Sequence, residues 1–159
     1  MKTKMFVQFI IAVILLAGAV AAQKRANIGP CKLLSQTDAE KILGVKVKLK
    51  SEGRTANEMN CYYAPDDEKT GVSLILRVYP ARKAARAFFR SNQKLHANLC
   101  NGFKLVSNAG ERAWMCGNDN FSRDIAVLKN NFMFQLSITS ENVSTAELKR
   151  IAQRLAAKL

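Results

Sequence analysis

The sequence predicts an α+β fold: a single antiparallel sheet with helices packed against it, an α/β sandwich held by two disulfides. Three observations point there. Segments of alternating or β-branched character are joined by short turns, notably at 65–71 and at Asn130-Asn131, so hairpins dominate the strand links. Two stretches, 81–99 and the one after Ser144, carry apolar residues at three- and four-residue steps, the mark of a helix with one dry face. Four cysteines, an even number, follow what reads as an export signal, which predicts disulfides rather than free thiols.

The signal comes first. Lys2 and Lys4 precede an apolar run over 5–17 broken only by Gln8, and small residues fill 18–22. That is the pattern of a signal peptide over 1–22 cleaved after Ala22. The run reaches the roughly 20 residues of a membrane span only by counting Gly and Ala. Leu16-Ala17-Gly18 starts a lipoprotein cleavage box, but Ala19 stands where the lipidated cysteine belongs. The expectation is a monomeric protein outside the cytoplasm, periplasmic or secreted, with no integral membrane span after signal cleavage. Residues 23–30, polar and ending in Gly29-Pro30, read as a flexible leader, and 31–159 as one domain.

Within that domain Ser35 or Thr37 caps a short helix with Asp38 and Glu40 at its positive end, and Gly44 stops it. Val45, Val47 and Leu49 alternate with Lys46, Lys48 and Lys50, which predicts a strand over 45–50 with a lysine face, followed by a polar loop over 51–57. Strands follow at 59–64 and 72–79, paired across the 65–71 turn. Pro80 suits the first turn of the central helix. Ala81, Ala84, Ala85, Phe88, Asn92, Leu95 and Leu99 are the face expected on the sheet, and Arg82, Arg86, Arg90 and Lys94 recur every four residues on another side. Short strands at 103–106 and 112–116, the second with Trp114 in the core, lead to a hairpin of 122–129 and 132–139. Ser144 or Thr145 caps a last helix with Leu148, Ile151, Ala152, Leu155 and Leu159 inward.

The net charge is +13, and it is uneven. No acid lies between Glu68 and Glu111, while Lys69, Arg77, Arg82, Lys83, Arg86, Arg90, Lys94 and Lys104 do. A field of one sign favours an anionic partner or polyanion. Arg82, Arg86, Arg90 and Lys94 are the candidate binding residues, with Lys46, Lys48 and Lys50 as a second basic group. Four cysteines allow three pairings. Cys31–Cys61 and Cys100–Cys116, the sequence-near pairs, need the least chain crossing and are expected, each constraining the unfolded chain by about 3–4 kcal/mol.

The chemistry of catalysis is thin. Without a C-x-x-C spacing, and with His96 the one histidine, no metal site is expected. The eight glycines form no phosphate-binding loop, so no cofactor is expected either. A small secreted basic hydrolase, ribonuclease-like, would draw on His96, Glu58, Glu111 and Arg112; nothing in their spacing brings them together, and no catalytic residue is assigned. Asp66, Asp67 and Glu68 lie in a turn and read as solvated. Tyr62, Tyr63 and Tyr79 are candidates for stacking on a base or sugar.

Cys31-Lys32-Leu33-Leu34-Ser35, then Ala39, Leu43-Gly44 and Cys61-Tyr62-Tyr63, resembles the opening of a group of small bacterial extracytoplasmic proteins of unknown function, many of them actinobacterial lipoproteins. Gly110-Glu111-Arg112-Ala113-Trp114 and the hairpin from Ile125 to Phe132 also resemble theirs. The resemblance implies a single α/β sandwich of the kind seen in the extrinsic subunit of photosystem II, and it supports a Cys31–Cys61 bridge. Cys100 and Cys116 depart from that pattern. The expected function is a non-enzymatic interaction module for a partner protein, an envelope component or a small ligand, with the hydrolase as the alternative.

Overall fold

In the computed structural model, which describes residues 28–117 and 121–159, the chain enters through a one-turn helix, α1 (Pro30–Leu33). The predicted signal lies outside the described residues, as does most of the predicted leader. Ile28, at the leader's end, packs against the core. Helix α2 (Gln36–Leu43) opens on a capping box: Ser35 Oγ accepts from the Asp38 N–H and the Asp38 carboxylate accepts from the Ser35 N–H. It ends at Gly44, whose φ of 71° is left-handed.

Strands β1 (Lys48–Arg54), β2 (Glu58–Ala64) and β3 (Gly71–Val78) precede the central helix α3 (Arg82–Leu99). After it come β4 (Lys104–Val106), β5 (Arg112–Gly117), β6 (Ser122–Lys129), β7 (Phe132–Thr139) and the last helix α4 (Thr145–Ala157). The seven strands form one sheet in the order β1-β2-β3-β7-β6-β5-β4, with every neighbouring pair antiparallel. The predicted fold class and both predicted disulfides, Cys31–Cys61 and Cys100–Cys116, are present. No helix among the described residues is long and apolar enough to cross a membrane.

The register explains the layering. On one face the strands align Cys61, Leu74, Leu136, Ile125 and Met115, with Met59, Leu76, Phe134, Val127 and Ala113 in the next row. Helices α1, α2 and α4 close this side, burying Leu34, Leu43, Leu148, Ile151 and Leu155 into the main core. Each such side chain contributes about 1.5–3 kcal/mol of apolar burial. The other face carries a smaller cluster of Trp114, Ala126, Leu128 and Met133, on which α3 sets Ala85 and Phe89. Cys100–Cys116 ties the end of α3 to β5.

Two expectations are corrected. The first strand begins later than the alternation suggested and runs through Ser51–Arg54, the segment expected to be a loop. Val47 alone of the apolar trio is buried, while Val45 and Leu49 are exposed. β1 is an edge strand, and its outer side meets solvent. The second correction is the seat of α3. Phe89, not Phe88, enters the core, and Leu95 and Leu99 are 55% and 74% exposed.

Candidate functional site

With Ala85 and Phe89 against the sheet, α3 shows two unlike flanks, since residues one position apart are about 100° apart around a helix. Phe88, Leu95 and Leu99 form an apolar flank. It leans toward β3, where the Arg77 guanidinium sits 5.6 Å from the Phe88 ring and Tyr79 lies 5.5 Å from it. Arg82, Arg86, Arg90 and Lys94 form the opposite, cationic flank.

The cationic flank meets the loop before β5. Gly110, in left-handed conformation (φ 68°), sits against the Leu128 carbonyl, and the Glu111 N–H donates to that same carbonyl at 2.8 Å. This aims the Glu111 carboxylate at α3. Arg82 Nη2 lies 2.9 Å and Arg86 Nη2 3.1 Å from its Oε2, and the Asn130 N–H donates to Oε1 at 2.9 Å. Partial burial, the largest influence, would raise the Glu111 pKa. The hydrogen bonds from Arg82, Asn130 and Arg86 together outweigh it and hold the pKa down at about 2. The carboxylate is therefore ionised at every physiological pH.

The β6–β7 turn fixes the other side of this corner. Asn130 takes a left-handed φ of 56°. Asn131 Nδ2 donates to the Tyr79 carbonyl and the Tyr79 N–H donates to the Asn131 carbonyl, each at 2.9 Å. The chain is thus anchored just before α3 begins.

Arg82, Lys83, Arg86, Arg90, Glu111 and Arg112 line a cavity of about 420 Å³, within the range of small-ligand sites. Its five cations face one carboxylate, and that carboxylate is committed to Arg82 and Arg86. The side chains of Lys83, Arg90 and Arg112 make no ion pair or hydrogen bond among the described residues. The N-terminus of α3 adds to the imbalance. Its N-cap, Ala81, offers no side-chain acceptor, and its first turn holds no acid. Cations there oppose the helix dipole. Local choices that conflict with helix stability concentrate at functional sites.

Of the predicted binding residues, Arg82, Arg86 and Arg90 thus line one cavity, and Lys94, a turn further along, is exposed outside that lining. Arg112 and Glu111, which the sequence suggested only as hydrolase candidates, belong to the same site. The other basic group is largely balanced: Lys46 pairs with Glu40, Lys48 with Asp66, and Lys50 with Asp66 and Glu68.

The hydrolase set is dispersed. His96 stacks on the buried Trp114 with ring centroids 4.4 Å apart, ten residues and about 15 Å of helix beyond Arg86. Glu58 pairs with Arg77 at 2.6 Å on the apolar-flank side. Tyr63 is buried in the main core. Arg123, which drew no notice in the sequence, is buried beneath α4 and donates to the carbonyls of Ser140 and Val143, holding the loop that leads into that helix.

No protein-family model matches the chain, and no curated protein matches it. Among solved structures, the extracellular domain of PknH from Mycobacterium tuberculosis is similar, with 13% identity and a TM-score of 0.47. The likeness covers 64% of this chain and 62% of that one, so the chain spans less than two thirds of that domain.

Proposed function

We propose that the protein is an extracytoplasmic recognition module that binds an anionic group in the cavity beside α3. The observation that carries this reading is the charge balance of the cavity: Lys83, Arg90 and Arg112 converge uncompensated where the one carboxylate, Glu111, is already taken. A multiply charged anion, such as a phosphate or pyrophosphate, would meet guanidinium forks able to bind it bidentately. The two disulfides favour an oxidising compartment, as does the resemblance of the Cys31–Ser35 and Cys61–Tyr63 segments to small extracytoplasmic domains.

Calorimetric titration of the folded, oxidised protein with inorganic pyrophosphate tests the reading. Affinity should fall steeply as salt rises, and Arg90→Ala and Arg112→Ala should each weaken it about tenfold. Lys149→Ala, on α4, should leave it unchanged. An affinity indifferent to salt, or one equally affected by Lys149→Ala and Arg90→Ala, would refute the assignment of this cavity.

A further inference from the structure

Half of the second sheet face carries no helix among the described residues. α3 packs on β6 and β7 and reaches Trp114 on β5; β2 and β3 lie beyond it on the side of its apolar flank. The register sets two rows there. Tyr62, Ser73, Ser137 and Asp124 align across β2, β3, β7 and β6, and Asn60, Ile75 and Gln135 align in the next row. The same strands bury apolar side chains on their opposite face, whereas these rows are polar except for Ile75.

We propose that this shelf binds an uncharged glycan segment, a di- or trisaccharide length, independently of the cationic cavity. The first argument is a stacking platform. A β-carbon at Gly71 would stand 2.7 Å from Tyr62 Cε2 and 2.8 Å from its hydroxyl. The ring therefore lies along the sheet over the glycine instead of standing off it. The C–H face of a sugar packs on such a ring as other apolar surfaces do.

The second argument is the kind of polar group beside it. Amides of Asn60 and Gln135 and the hydroxyl of Ser73 offer both donors and acceptors, and Ser137, whose proton goes to Asp124, offers an acceptor. They repeat at the strand spacing of about 4.8 Å. That mixture matches sugar hydroxyls, which also donate and accept. Asn60 Oδ1 meets no donor among the described residues, and buried acceptors normally have one.

The third argument is charge complementarity. In a chain of net charge +13 the two rows hold no cation, and their one charged group is Asp124. Arg77 pairs with Glu58 at 2.6 Å, and Asp124 accepts a hydrogen bond from the Ser137 hydroxyl. A neutral ligand loses nothing here, whereas an anion is drawn to the opposite flank of α3. Phe88, 40% exposed and held between Arg77 and Tyr79, walls the shelf on its helix side.

Calorimetry with chitohexaose, cellohexaose and laminarihexaose decides the matter. At least one should bind, with an affinity that holds from low salt to about 0.5 M. Tyr62→Ala should weaken binding about tenfold, Gln135→Ala should weaken it less, and Tyr62→Phe should retain most of it. Arg90→Ala should not change it, which separates this shelf from the cationic cavity. Near-ultraviolet circular dichroism of Trp114 confirms that each variant is folded. Binding of none of the three sugars, wild-type affinity in folded Tyr62→Ala, or a loss with salt or with Arg90→Ala would overturn the proposal.

Discussion

Glu111 Oε2 lies 2.9 Å from Arg82 Nη2, closing the first turn of α3 onto the loop before β5. Because this carboxylate titrates at about 2 in the folded protein against an ordinary 4.5, its stabilisation has a defined pH window. A depressed folded-state pKa favours the native state above the unfolded value and is lost as pH falls from about 4.5 toward 2. Both arginines are about half exposed, so solvent screening reduces the contribution to about 1–2 kcal/mol. Glu111→Gln should lower the unfolding free energy from urea titration at pH 7 by that amount, and the difference from wild type should vanish near pH 2. A constant difference across that range would show that the carboxylate's charge is not responsible.

Two glycines make a graded test of backbone geometry. At Gly110, φ is 68° and a β-carbon would stand 2.6 Å from the Leu128 carbonyl oxygen. Backbone cannot swing aside, so Gly110→Ala should cost about 2–4 kcal/mol and loosen the Glu111 contact. Gly71→Ala meets only the far end of the Tyr62 ring, which can rotate toward solvent. Its cost should be about 1 kcal/mol, and adding Tyr62→Ala should recover most of it. Thermal or urea unfolding of the three variants checks the ranking; equal costs at the two glycines would contradict it.

Much of the architecture was legible because hairpins and helices carry their periods locally. The 122–129 and 132–139 hairpin was anticipated at the bounds later found, and of the two candidate caps of α4, Ser144 and Thr145, the structure uses Ser144. The seat of α3 was not legible. Phe88 and Phe89 are adjacent, and periodicity alone cannot say which one faces inward. Ala126, small and opposite Trp114 in the register, leaves space under the helix, and that is tertiary information. β1 was misplaced for a related reason: the Val45–Lys50 alternation expresses one buried residue, Val47, beside an edge strand. The cavity was half legible. The four-residue recurrence of Arg82, Arg86 and Arg90 marked it, but Glu111 and Arg112 join it only through the left-handed Gly110 and the Asn130 turn.

His96 is placed to brace structure. Its ring stacks on Trp114 with an interplanar angle of 26°, near the Cys100–Cys116 bridge. His96→Ala should cost about 1 kcal/mol and change the Trp114 fluorescence by removing its ring neighbour. Incubation of the pure protein with RNA should show no cutting that depends on His96. Turnover present in wild type and lost in folded His96→Ala would establish the hydrolase reading instead.

The disulfides should contribute separably. Cys31–Cys61 closes a separation of 30 residues and Cys100–Cys116 one of 16. The chain-entropy model gives about 3.6 and about 3.1 kcal/mol respectively. Replacing each pair by alanines should lower the unfolding free energy by about those amounts, with the longer loop costing slightly more. They join different helices to the sheet, so the double variant should show near-additive loss. Urea midpoints of the two pair variants and the quadruple variant check this; a wild-type midpoint after full reduction would refute it.

Tyr79 supplies the alkaline counterpart to Glu111. Burial is the main cause that raises its phenol, the Glu58 charge adds to it, Arg77 opposes it, and the pKa stands at about 12 against an ordinary 10.0. The sign follows from linkage. Between pH 10 and 12 the unfolded chain loses this proton while the folded chain keeps it, so rising pH draws the equilibrium toward the unfolded state. The hydroxyl oxygen is buried and meets no hydrogen-bond partner among the described residues. Tyr79→Phe keeps the ring beside Phe88 while removing an unsatisfied polar atom. At pH 7 the variant should be neutral or slightly more stable. Above pH 10 it should lose stability less steeply than wild type, and the ultraviolet titration should lack the phenol that ionises near 12. A destabilised Tyr79→Phe at neutral pH would mean that the hydroxyl has a partner after all.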